Sequence, residues 1–162
     1  VADVVSVLRL RFVAGKDDIS LAIILRSQIC MPFTPSHVEC VTPEGKYAGQ
    51  HAEGGMLVRD PGYDKSYLAH ELFIDLQSTE TQAAIFYAYV GSLIGQPYDI
   101  RSILDYVLPV DFHDFGHSIC SAAMTLALRK SGFFQWPLAV PAHLISPRDL
   151  LLVLSTHVEI DH

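Results

Sequence analysis

Positive charge is what this chain has least of. Eleven Lys and Arg stand against 18 Asp and Glu, a net charge of −7, and the basic residues form no cluster. Nucleic acids and anionic membrane surfaces are held by clustered Lys and Arg, so neither is expected as a partner. Long apolar runs are also missing. None approaches the ~20 residues a helix needs to cross a bilayer, so no stable membrane insertion is expected. The opening DVVSVLRLRFV alternates like a strand and lacks the small-residue cleavage site of a signal peptide. As written the chain reads as cytoplasmic, with delivery to a cell wall or a host left open.

Cysteine is scarce as well. Cys30, Cys40 and Cys120 are the three, an odd number at irregular spacing, which does not suggest a disulfide framework. Free thiols in a reducing compartment are the simpler reading. No C-x-x-C pair suggests a zinc or redox centre, so neither cofactor nor metal is expected. Charged residues make up only 18%, against 50% hydrophobic, which excludes a disordered composition. A length of 162 residues suits one domain, 1–162.

What is present alternates between strand and helix signals. Residues 4–13 read as a strand broken by AGK, and Asp17 or Asp18 caps a helix to about Gln28. HVECV (37–41) is a β-branched strand. TPEGK (42–46) places Pro43 at the first central position of a type I turn and Gly45 at the left-handed residue after it. A second strand follows over 47–59, interrupted at Gly54–Gly55, and residues 63–76 end in another. Thr79 and Gln82 match a capping box before a helix with Phe86, Tyr89, Val90 and Leu93 at helical spacing. Gly95 and Pro97 end it. Asp99 caps a short helix through Val107, and 109–118 is a loop. A helix runs from about Cys120 to Lys130, stopped by Gly132. SPRD (146–149) has a cap, a first-turn proline and an acidic third residue, and 150–160 reads as a final strand. Helices and strands are segregated, which predicts an α+β domain with an antiparallel sheet.

Cys120 opens its helix on this reading. Unpaired N–H groups at a helix start stabilise a thiolate and can hold the oxyanion formed when a carbonyl is attacked. A small buried apolar residue is the competing interpretation of the same cysteine. His37 begins a strand directly after a loop, where it can present an imidazole to a thiol, or it is only a polar residue at a strand edge. If TPEGK is a three-residue turn with a bulge, Thr42 pairs with Lys46 and His37 lies opposite His51, Cβ atoms ~5 Å apart. His51 could then orient the His37 ring, as the third member of a triad does. A two-residue turn would instead face His37 with Ala52 and bring Gln50 nearest. Glu53 is a third candidate. Glu39 shares the His37 face, either lining a cleft or as a solvated charge. Cys40 points the other way, towards the core.

PSHVECVTPEG, YAGQHAEGGMLVR, GQPYD and SICSAAMTLALRKSG occur in that order. Together they resemble the circularly permuted NlpC/P60 hydrolases, a papain-like group that includes YiiX-type proteins and the lecithin–retinol acyltransferase group. In that permuted group the histidine strand precedes the cysteine helix, as it does here, and the resemblance runs from about Asp17 to Leu151. It implies a papain-like fold with a central antiparallel sheet packed against helices. It also implies Cys120 as nucleophile beside Ser121, His37 as base, and a third polar residue on the following strand. Its Pro-Tyr-Asp matches residues 97–99 and brings Tyr98 towards the active site. Ala122 and Ile119 depart from the family's Glu and aromatic residue, and a Glu common on the second strand of YiiX-type members keeps Glu53 in consideration.

Four readings follow. The first is a cysteine hydrolase, a peptidase or amidase for a peptide or cell-wall cross-link, working through an acyl-enzyme without a metal. The second is the same site on lipid esters, as a thiol acyltransferase or lipase, with FFQWPLAVP (133–141) as an apolar platform. The third is an inactive binding module of the same fold. A zinc site of His37, His51 and Cys120 ranks last, because no compact ligand motif supports it.

Overall fold

Long alternating stretches at the start and middle of the chain make the sheet. The computed structural model describes residues 5–16, 33–51, 54–95, 115–134, 140–142 and 145–158. Strand β1 (Val5–Gly15) pairs along its length with β5 (Leu68–Thr79), with a register irregularity at Ala14/Gly15. On its other side lies β2 (His37–Val41), then β3 (Tyr47–His51) and β4 (Gly55–Arg59). The order is β4-β3-β2-β1-β5, and every ladder is antiparallel. β1 continues two residues beyond the expected AGK break, because Ala14 and Gly15 still find partners on β5.

Period-two alternation sorts the sheet into two faces. Leu8, Leu10, Phe12, Val38, Cys40, Ala48, Met56 and Leu76 have no exposed surface and form one apolar face. Three helices contribute to the core there. α1 (Glu80–Leu93) contributes Ala83, Phe86 and Val90. α2 (Phe115–Lys130) contributes Cys120, Ala123, Met124, Ala127 and Leu128. α3 (Pro147–Ser155) contributes Leu150, Leu151 and Leu154. The expected α+β class with an antiparallel sheet is what the chain forms. Among the described residues no helix is long and apolar enough to cross a membrane.

The local punctuation works as short-range chemistry predicts. Thr79 and Gln82 exchange both bonds of a capping box at the start of α1, and Ser146 and Asp149 do so at α3, with Pro147 in the first turn. Gly132, at φ +73°, closes α2 as its N–H and that of Phe133 reach back to Arg129 and Leu128.

Three expectations are corrected. Residues 47–59 are not one strand. Gly54 and Gly55 sit at φ +98° and +74°, and the chain reverses there into a second hairpin that pairs Tyr47 with Arg59 and His51 with Gly55. The segment after Ser146 is a helix rather than a final strand, since Leu150, Leu151 and Leu154 bury at helical spacing. α2 starts at Phe115 rather than near Cys120, so the Gly-His-Ser turn is helical; a glycine costs a helix only about 1 kcal/mol. The helix expected over 17–28 and the short one after Asp99 lie outside the described residues.

Candidate functional site

The site begins at the first residue of β2. Ser36, just before it, donates its backbone N–H to the Val13 carbonyl at 2.8 Å, and its hydroxyl oxygen accepts from Gly15 N–H at 3.3 Å. This ties the strand's entry to β1, where Val13 pairs with His37. His37 then meets Cys120 of α2 through a side-chain hydrogen bond. Burial alone would lower the His37 pKa. The Cys120 sulfur, by charge and by hydrogen bond, and then Glu39 outweigh burial and push it up to about 10. Cys120 itself has no exposed surface. It stands in the second turn of α2, where its N–H is committed to the helix ladder. The unpaired first-turn amides expected to serve it are therefore several residues away. Ser121 donates its hydroxyl to the Ile145 carbonyl at 2.6 Å, tying α2 to the segment before α3.

Glu39 follows His37 on the same face of β2, and it is fully buried. The solvated-charge interpretation of this residue is excluded. Oε1 takes Arg11 Nη1 at 2.6 Å, Oε2 accepts from the Tyr63 hydroxyl at 3.1 Å, and Oε2 lies 3.7 Å from His37 Nε2. Burial would raise its pKa, but the close approach of His37 and the bond and charge of Arg11 prevail and hold it below the usual carboxylate value. Arg11 is itself 1% exposed and carries two more carboxylates. Asp64 Oδ2 lies 2.9 Å from Nη2, and Glu71 Oε2 lies 2.7 Å from Nε. Its guanidinium also stacks 4.5 Å from the Tyr47 ring centroid. Such a group is costly to desolvate and stays buried only because each charge is answered.

His51 completes the cluster from β3. The TPEGK turn bonds Thr42 N–H to the Lys46 carbonyl at 2.7 Å, with Gly45 at φ +77°. The ladder pairs Val41 with Tyr47 and Cys40 with Ala48. Continued along the strands, that register sets His51 opposite His37, and their ring centroids are 4.9 Å apart. Burial, and then the charges of His37 and Arg59, lower the His51 pKa to about 4, so this ring is neutral at ordinary pH. Tyr63 meets it edge-on at 5.6 Å. Gly49 lies between the two histidine positions for a steric reason: a Cβ there would stand 2.7 Å from Glu39 Cβ and 3.2 Å from His37 Nε2. A cleft of about 70 Å³ opens over Ser36, His37, His51, Tyr63, Asp64 and Tyr67.

Compared with known proteins, the chain matches no family model, no curated protein and no solved structure.

Of the residues singled out from sequence, the fold brings together Cys120, His37, His51 and Glu39. Gln50 is buried on the apolar side, paired with Met56 across β3–β4, and the register turns it away from His37. Glu53 and Tyr98 lie outside the described residues. The aromatic platform is partly internal: Phe133 and Phe134 pack on one another and on His157. Arg11, Tyr63, Asp64 and Glu71 were not identified from sequence. The one available signal was Arg11 itself, a charge on an otherwise apolar half of β1, but its carboxylates come from three distant segments.

Proposed function

We propose that this chain is a cysteine hydrolase of peptide or amide bonds, a papain-like domain of the circularly permuted NlpC/P60 kind. The observation that carries the reading is the hydrogen-bonded pair of Cys120 and His37, delivered from distant parts of the chain and backed by a buried carboxylate. His37 takes the Cys120 thiol proton, and the sulfur attacks the substrate carbonyl. The C–N bond breaks as the leaving amine receives that proton, leaving a thioester. His37 then draws a proton from water, the hydroxide attacks the thioester, and the acid leaves as Cys120 regains its proton. Glu39 and His51 position the His37 ring, the task of the third group in a triad.

A second reading, a binding module of the same fold, is favoured by one observation: Cys120 has no exposed surface. Turnover requires that the sulfur become accessible. Iodoacetamide labelling at mildly acidic pH, followed by peptide mass analysis, separates the two. The hydrolase reading expects Cys120 to label faster than a free thiol and Cys120→Ala to abolish turnover while keeping the fold. Labelling no faster than a free thiol, or turnover surviving in Cys120→Ala, removes it. Given a reactive Cys120, a panel of short peptides run beside phospholipid esters decides the bond type.

A further inference from the structure

We propose that His37, Glu39 and His51 form a binding site for a divalent ion of the zinc type. One ligand atom from each lies within 4.8 Å of the others. His37 Nε2 and His51 Nε2 are both buried without a hydrogen-bond partner. Burying a polar atom without a partner is costly, and an imidazole nitrogen facing a carboxylate can recover that cost by holding a metal. Two imidazoles and a carboxylate suit zinc, whereas calcium and magnesium ask for oxygen.

The hairpin explains why these three converge. Glu39 lies two residues after His37 on one face of β2, and the register brings His51 across from β3. Gly49 leaves open the space that a Cβ would take from Glu39 Oε2 and His37 Nε2, each 3.2 Å from it. Tetrahedral zinc needs ligands roughly 3.3 Å apart, given bonds of about 2.0 Å. The three must therefore close by up to about 1.5 Å at the widest pair, within the reach of side-chain rotation. Arg11, faced by Glu39, Asp64 and Glu71, and Arg59, whose charge reaches His51, are the nearby side-chain cations, and an ion that binds displaces the proton of His37. Both histidines border the cleft, so water can fill a remaining coordination position.

Cys120 is not required in this ligand set, which separates it from a thiolate site. Metal binding here is independent of whether Cys120 turns over a substrate. If it does, an ion on His37 Nε2 leaves the ring's one proton on Nδ1, the nitrogen that must receive the thiol proton, and zinc inhibits.

The test is isothermal titration of the full chain with Zn²⁺ in metal-free buffer. One equivalent is expected to bind, the control His70→Ala is expected to bind as the parent does, Cys120→Ala is expected to bind at least as tightly, and His51→Ala is expected to weaken binding about tenfold or more. Absence of binding, an undiminished His51→Ala, or loss of binding in Cys120→Ala overturns the site. Cobalt loading of the unaltered chain needs no variant to fold. Ligand-field bands without a thiolate-to-metal charge-transfer band support the site, and a charge-transfer band overturns it. Zinc binding in a chain with an unreactive Cys120 would sink the hydrolase and leave the metal site standing.

Discussion

At the scale of single residues, the decisive feature is a charge that does not reach water. Arg11 binds Glu39, Asp64 and Glu71, and two of those carboxylates have no exposed surface. Removing the guanidinium strands two buried anions, a change that typically costs about 3–5 kcal/mol. Arg11→Met should therefore lower unfolding free energy by that order in urea titration, and a loss under about 1 kcal/mol would show that the cluster is not structural. Cys40 supplies an internal control for the labelling experiment. Burial, and then the neighbouring Glu39 charge, push its thiol up to about 12, so it should stay unalkylated while Cys120 is labelled. Sequence alone could not choose between Glu39 as a cleft residue and as a solvated charge. Alternation placed it on the His37 face, but alternation says nothing about what covers that face. Residues 61–67 cover it, through Tyr63 and Asp64.

At the scale of elements, short-range signals carried most of the information. Both capping boxes, the Gly45 turn and the Gly132 stop depend on atoms a few residues apart, and each forms as its local pattern predicts. Ser146→Ala removes the oxygen that receives the Asp149 N–H at 3.1 Å. It should cost about 1 kcal/mol, read as a shift in the urea midpoint, and Ser146→Asp should recover most of it. An unchanged midpoint in Ser146→Ala would mean that α3 is held by Leu150, Leu151 and Leu154 alone. Two of the three failures at this scale share one cause. β4 and α3 were misassigned where the local pattern allows two outcomes: paired glycines interrupt a strand or reverse it, and a leucine-rich run suits strand or helix. Packing partners outside the segment decide, Tyr47–His51 for β4 and the apolar face of the sheet for α3.

For the whole molecule, the buried carboxylate cluster links the fold to pH. Glu39 is held below its usual value in the folded state. The unfolded chain therefore takes up the proton more readily, and protonation favours unfolding. This contribution is complete above the unfolded carboxylate pKa of about 4.3 and is lost as pH falls through the lower folded value. Urea midpoints should begin to fall as pH drops below about 6.5, where the unfolded chain protonates His51 and the folded chain resists until about pH 4, and should fall further below the unfolded carboxylate value as Glu39 takes up its proton. Arg11→Met, which removes one cause of the Glu39 shift, should show a shallower acid loss. A midpoint unchanged from pH 6 to pH 3 would contradict the cluster's part in stability.

By itself the sequence placed a turn at TPEGK and narrowed the hairpin to two registers, a local matter because turn length fixes how the two strands pair. The structure forms the three-residue turn, and with it His37 meets His51. Only the tertiary structure decided that Glu39 is buried, that Arg11 has three carboxylate partners, and that a cysteine from α2 meets a histidine from β2. Those outcomes depend on groups far apart in the chain, and burial is a property of what finally packs over a residue rather than of the residue or its neighbours.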